Sequence, residues 1–347
     1  MRIAFRADAS AALGSGHLMR CLSLADHAAR HGAACVFLCG EAIGPLAGLV
    51  RGHGHELCVL PAEEDWQSDA AATQRAMGRP AEVLVVDHYR LDARWEIEMA
   101  PFARLVLCID DLANRPHRCQ LLLDQNYYAD SAGRYGGLVP ESCTLLLGPR
   151  FAMLRDEFDV ARRSLPPRIG DVRRVLVFFG GSDPTAETDK ALDAISLLGW
   201  TDVAFDVVVG AANPRAEALR LRCAAMPNVA FPCQVGNLAE LLCAADLALG
   251  AGGSAILERL YLGLPSLVVI VADNQQETTR AVAGAGGLIL LGEHAEASAA
   301  DMAAAMSGAR GDADRLRRIA ATGFAMMPAD GIRGTEAVYQ QMRAKLR

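Results

Sequence analysis

Short, almost unbroken apolar runs recur along the first half of the chain: RIAFRAD, ACVFLCG, EVLVVDHY, RLVLCIDD and CQLLLDQN, separated by alanine-rich stretches of helical or loop pattern. A strand with one face in water alternates apolar and polar residues, whereas a strand covered on both faces does not. Runs of this kind, alternating with helices, predict a parallel sheet with helices on both faces, here over residues 1–160. At 161–174, ARRSLPPRIGDVRR, polarity rises, two prolines stand together and the preceding helical pattern ends, which predicts a linker. The alternation restarts with VLVFFGGSD, DVAFDVVVG, NVAFPCQ, ADLALGAGG, PSLVVIVAD and GGLILLG. A second α/β domain is therefore expected over 175–347. It closes with helices, the last of which, GTEAVYQQMRAKLR, carries positive charge near its C-terminal end as the macrodipole favours.

Composition agrees with two domains and narrows the partners. A chain of 347 residues is too long for one ordinary core, and 52% hydrophobic with 22% charged residues is a globular balance. A formal net charge of −7 argues against nucleic acid. Arg6 and Asp8 interrupt any N-terminal signal pattern, and apolar runs such as LVVIVA are far short of a membrane span. The expectation is a cytoplasmic monomer with no stable membrane association. Ten cysteines occur without a Cys-x-x-Cys pair, and Cys35, Cys108 and Cys243 sit in apolar runs, which suits packing better than disulfides or zinc. Asp110 and Asp111 are adjacent, so their side chains should diverge; no metal and no cofactor are expected.

Polar clusters follow strand after strand: Asp8 and the loop to His17, Asp87-His88-Tyr89, Asp110-Asp111, and Asp124 to Tyr128. Open parallel sheets gather ligands outside the carboxyl ends of their strands, so these clusters should share one rim, unless they only begin loops. The stretch GSGHLMR, Gly14 to Arg20, lacks the third glycine of the dinucleotide fingerprint and follows too long a loop, which argues against a nicotinamide cofactor. What remains is a glycine loop at a helix N-terminus, where free N–H groups favour negative charge. A neutral imidazole at that point can accept a proton, so His17 is a candidate general base with Asp8 as its orienting partner; the alternative is a histidine that only ties its own loop. In the second domain, FFGGSDPTAE and LGAGGSAILE each read as strand, glycine turn and helix, with Pro184 in one first turn, Ser254 as the other N-cap and Glu258 one turn inside. Two such turns suit a diphosphate and its neighbouring sugars. Asn274 and Gln275 of VADNQQE end another strand with amides that could hold sugar hydroxyls, or belong to an ordinary polar loop.

Taken in order, FRADASAALGSGHLMRCLSLA, VVDHY, CIDD, LLLDQN, GLVP, FAMLRDEF, GGSD, GGSAILE and NQQ resemble the motifs of the UDP-2,4-diacetamido-2,4,6-trideoxy-β-L-altropyranose hydrolases of pseudaminic acid biosynthesis, and they cover nearly the whole chain. The resemblance implies a glycosyltransferase-B fold: two Rossmann-like domains facing across a cleft, with UDP held mainly by the second. It places the catalytic base on His17 and a further site residue on Tyr89; with Asp8 as orienting partner these make the expected catalytic group, and substrate contacts are expected at Gly14, Gly16, Arg20, Asp87, Asn126 and Arg155. In the second domain the expected contacts are Gly180, Gly181, Ser182, Gly252, Gly253, Ser254, Glu258, Asn274 and Gln275, and the resemblance places Glu258 on the ribose hydroxyls. The implied reaction is metal-independent hydrolysis to UDP and the free sugar, by His17-activated water with inversion. The sugar would be destined for a nonulosonic acid on a surface glycan or flagellin. The rival readings are a UDP-sugar-dependent glycosyltransferase, a UDP-sugar 2-epimerase and a non-catalytic nucleotide-sugar binding protein.

Overall fold

A computed structural model describes residues 1–8, 16–62, 64–168, 170–210, 213–232 and 237–347. The chain divides into two units, Met1–Leu154 with Asp330–Arg347, and Arg155–Ala329. The first is built on β1 (Arg2–Ala7), β2 (Ala34–Gly40), β3 (Glu56–Leu60), β4 (Ala81–Asp87), β5 (Ala103–Ile109), β6 (Leu121–Asp124) and β7 (Thr144–Leu147). All pair in parallel, in the order β3-β2-β1-β4-β5-β6-β7. The unbroken apolar runs have the expected cause. Successive side chains point to opposite faces and both faces are covered. Ile3, Phe5, Val83 and Val85 pack with the first helix, Gly16–Arg30, and with Val338, Tyr339 and Met342 of the last, Gly334–Leu346. Ala4, Leu84 and Val86 pack on the other side with Trp95 and Met99.

The second unit repeats the plan with β8 (Arg174–Phe178), β9 (Ala204–Val207), β10 (Val229–Ala230), β11 (Leu247–Ala251), β12 (Ser266–Ile270) and β13 (Ile289–Glu293). The order is β10-β9-β8-β11-β12-β13, again all parallel. In each sheet the strand order reverses once, between β1 and β4 in the first and between β8 and β11 in the second. Such reversal points open a crevice at the strands' carboxyl ends, the usual ligand position in this class of sheet.

Two boundaries differ from the sequence reading. The division falls between Leu154 and Arg155, not at 161–174, because the helix Asp156–Arg163 is tied to the second unit. Arg162 donates to the carbonyls of Tyr261 and Met327 and lies over the rings of Tyr261 and Phe324. The last helix, expected in the second domain, returns to cover the first sheet, where its apolar face completes the core around Leu18 and Leu22. The sheet edges β3 and β7 also went unread, being short and partly exposed.

Candidate active site

The first helix starts at Gly16, so His17 lies in its first turn and Arg20 three residues on, where the helical repeat brings both side chains to one face. That face meets the end of β4. Asp87, the last residue of the strand and 1% exposed, accepts from both. One oxygen lies 2.5 Å from His17 Nδ1 and 2.7 Å from an Arg20 terminal nitrogen, and the other takes Arg20 Nε at 2.6 Å. Burial alone would raise the Asp87 carboxyl; the charges and hydrogen bonds of Arg20 and His17 outweigh it and hold the group well below the usual carboxylate range. An ionised Asp87 takes the Nδ1 proton of His17 and leaves Nε2 with the lone pair. The Tyr89 ring stands edge-on to the imidazole, centroids 4.6 Å apart. Arg20 also reaches Asp111 at 3.3 Å, linking the ends of β4 and β5.

Asp8 does not partner His17, contrary to the sequence expectation. Its carboxylate accepts from Arg6 at 2.5 Å, from His88 Nε2 at 2.9 Å and from the Gly40 amide at 2.9 Å. It ties together the ends of β1, β2 and β4. His88 Nδ1 accepts from the Arg90 amide, so Nε2 carries the proton given to Asp8, and both nitrogens are committed. Burial lowers the His88 pKa despite the neighbouring carboxylate. Asp110 and Asp111 diverge as expected: Asp110 takes Arg115 and the Ala113 amide, while Asp111 takes Arg20. Asp124 accepts from the Asn126 amide and Tyr135, and burial, with Asp111 nearby, pushes it up to about 7. Arg115, Arg134 and Tyr135 were not singled out from the sequence. The signal for Arg134 and Tyr135 was the run of tyrosines and arginine in NYYADSAGRY; Arg115 stands apart from it, in DDLANRPHR after β5. Gly14 lies outside the described residues, and Gly16 opens the helix.

In the second unit both glycine turns follow the strands at the reversal point. Gly180 has φ +93° and Gly253 φ +74°, a region that favours glycine. A Cβ on Gly252 would stand 2.6 Å from Thr279 Oγ1 and 2.9 Å from Gln275 Oε1, so that turn admits no side chain. Gly181 packs so closely on Gly210 that a Cβ on the latter would meet its carbonyl oxygen at 2.7 Å. After Ser182 the helix begins at Glu187, later than Pro184 suggested, because the Asp183 carboxylate accepts the Glu187 and Thr188 amides at 3.0 Å. Ser254 holds the N-cap position but has helical dihedrals, and its hydroxyl makes no capping bond, another departure from expectation. Gln275 Oε1 accepts from the Val271 amide at 3.1 Å, with the Gln275 side chain lying against Gly252 and Gly253; Asn274 lies in the same short helical turn, Asp273–Gln275. Glu258, one-fifth exposed, lies 3.6 Å from Arg155, and burial raises its carboxyl against that attraction. The structure thus gathers His17, Arg20, Asp87 and Tyr89 in the first unit. It gathers the glycine turns, Gln275, Glu258 and Arg155 in the second.

No family model matches the chain. Among curated proteins it is 26% identical over 292 residues to the UDP-2,4-diacetamido-2,4,6-trideoxy-β-L-altropyranose hydrolase of Campylobacter jejuni, spanning 82% of this chain and 97% of that protein. The resemblance read from the motifs stands. The spore coat polysaccharide biosynthesis protein SpsG of Bacillus subtilis is 31% identical over 173 residues, 48% of this chain and 51% of its own length. Among solved structures the spinosyn rhamnosyltransferase SpnG superposes with a TM-score of 0.68 at 16% identity, covering 99% of this chain and 100% of SpnG. The fold is the glycosyltransferase-B fold, two parallel-sheet α/β domains. Among the described residues no helix is long and apolar enough to cross a membrane.

Proposed function

We propose that the chain is a nucleotide-sugar hydrolase that cleaves UDP-2,4-diacetamido-2,4,6-trideoxy-β-L-altropyranose, or a close analogue, to UDP and the free sugar. The observation that carries this reading is the dyad of His17 and Asp87 at the first strand-order reversal. Relatedness to the Campylobacter hydrolase over most of both chains supports nucleotide-sugar chemistry, and the ordered motif series supports the hydrolytic branch of it.

In this mechanism water attacks the anomeric carbon while the bond from that carbon to the UDP oxygen breaks. UDP leaves with the bonding pair, and the proton lost by water goes to His17 Nε2. Asp87, kept ionised by Arg20, holds the ring in the required tautomer and stabilises the imidazolium as it forms. Attack opposite the leaving group inverts the anomeric configuration. A diphosphate is already a good leaving group, so a second acid carboxylate is not needed. The glycine turns of the second unit, which bring backbone N–H groups close to a ligand, are assigned to the diphosphate, with Glu258 and Arg155 at the ribose end.

The test is UDP release without any acceptor, by the whole chain and by H17A. The wild type should turn over; H17A should bind UDP as before and release product about 10²- to 10⁴-fold more slowly. Undiminished turnover in H17A would remove His17 from the chemistry. No release by the wild type, with UDP still bound, would favour a transferase awaiting its acceptor or a binding protein.

A further inference from the structure

A second group of histidines lies in the first unit, in side chains that the proposed hydrolysis does not use. His27 and His31 stand one helical turn apart near the end of the first helix, and Glu336 occupies the first turn of the last helix. One ligand atom from each of the three lies within 4.8 Å of the others. We propose that His27, His31 and Glu336 bind a divalent transition-metal ion of the Zn²⁺ type, which clamps the last helix to the first.

Three features support a cation in place of a simple hydrogen bond. His31 Nδ1 lies 2.9 Å from the His27 carbonyl oxygen, so Nδ1–H donates to the backbone and Nε2 keeps the lone pair. This is the arrangement by which ligating histidines are oriented, their other nitrogen donating to a carbonyl or carboxylate. His27 Nε2 is 2.9 Å from Glu336 Oε2, and a tetrahedral Zn²⁺ with ligands at about 2.0–2.1 Å needs its donors roughly 3.3 Å apart. The 2.9 Å separation is slightly short of that value, so the two donors must part a little to admit the ion. The two imidazoles lie against each other and against the Tyr339 ring, with centroids 4.7 Å and 5.1 Å apart, which restricts their rotamers before any metal arrives. Glu336 is 40% exposed and His31 is exposed, leaving the fourth position to water.

Two imidazoles and a carboxylate select borderline ions over Mg²⁺ and Ca²⁺, which prefer oxygen alone. The clamp would join residues more than three hundred positions apart in sequence. Its place explains its use: the last helix reaches the first sheet only after the chain has built the whole second unit, and Val338, Tyr339 and Met342 must stay docked to close the core.

The test is calorimetric titration of tag-free, metal-stripped, reduced full-length protein with Zn²⁺, with melting curves in parallel and Mg²⁺ as control. The expected result is one tightly bound Zn²⁺ and a Tm raised by Zn²⁺ but not by Mg²⁺. H31A and E336Q should each bind at least roughly 10- to 100-fold more weakly, the loss known for merely supporting partners. His31 and Glu336 are partly exposed, so neither variant should fail to fold. Two other sites compete: the buried Glu96, Cys108 and His117, and Asp26, whose two oxygens each lie 2.7 Å from His53 or His55. Affinity lost in H53A but kept in H31A would overturn the proposal, as would equal binding by all variants, the mark of thiol ligation, or no binding at all.

Discussion

At the scale of single residues, the site turns on which carboxylate holds His17. Sequence position made His17 itself legible, because a histidine between a glycine loop and a helix start is an unusual use of that position. Its partner was not legible. The neighbour in sequence, Asp8, was the natural choice, yet the dyad spans 70 residues and forms only because parallel pairing sets β4 beside β1. Two substitutions separate the candidates. D87N keeps the shape but gives Nδ1 a donor where it needs an acceptor, so kcat should fall by about 10²- to 10⁴-fold with UDP affinity retained. D8N removes the charge and turns one of the two acceptor oxygens into a donor, so the ties to Arg6, His88 and Gly40 cannot all be kept; it should lower Tm while leaving kcat within about threefold in the molecules that remain folded. Comparable kcat losses in both would restore Asp8 to the chemistry.

At the scale of elements, one buried ion pair sets how the rim is supported. Glu96, on the helix Ala93–Met99 and fully buried, accepts from His117 Nδ1 at 2.6 Å, from the Arg118 amide and from the Cys108 thiol at 3.0 Å. His117 Nε2 lies 3.9 Å from Asp110. Burial alone would lower the His117 pKa; the two carboxylates outweigh it and push it up to about 9 from an ordinary 6.5. A folded-state value above the unfolded one adds stability that is complete below 6.5 and disappears as pH rises through 9. Denaturant midpoints should therefore fall between pH 7 and 9.5 in the wild type. H117Q should be less stable at pH 7 by roughly 3–5 kcal/mol, the cost of stranding a buried charge, and should lack most of that pH-dependent fall. An equal fall in both proteins would show that His117 is not charged in the folded state. Sequence patterning found the strands of both sheets except β3 and β7, the two edges of the first sheet, whose apolar stretches LCVL and LLL are brief and only partly buried. It could not find this pair, whose members come from a helix and a loop and become neighbours only through β5.

At the scale of the whole molecule, two sheets of like design give one chain two reversal points, and each carries one half of the candidate chemistry. The glycine turns were readable because a backbone at positive φ favours glycine whatever surrounds it, as at Gly180 and Gly253. The last helix was misplaced because its apolar face states only that it needs a sheet, not which one. The central claim, that His17 and Asp87 direct water to the anomeric carbon, is tested most directly by product analysis. UDP-2,4-diacetamido-2,4,6-trideoxy-β-L-altropyranose would be turned over in water labelled with heavy oxygen, in EDTA and without acceptor, followed by mass spectrometry and early NMR spectra. The account predicts the label in the free sugar, an inverted anomeric centre and unlabelled UDP. Label in the diphosphate, or retention at the anomeric carbon, would contradict it.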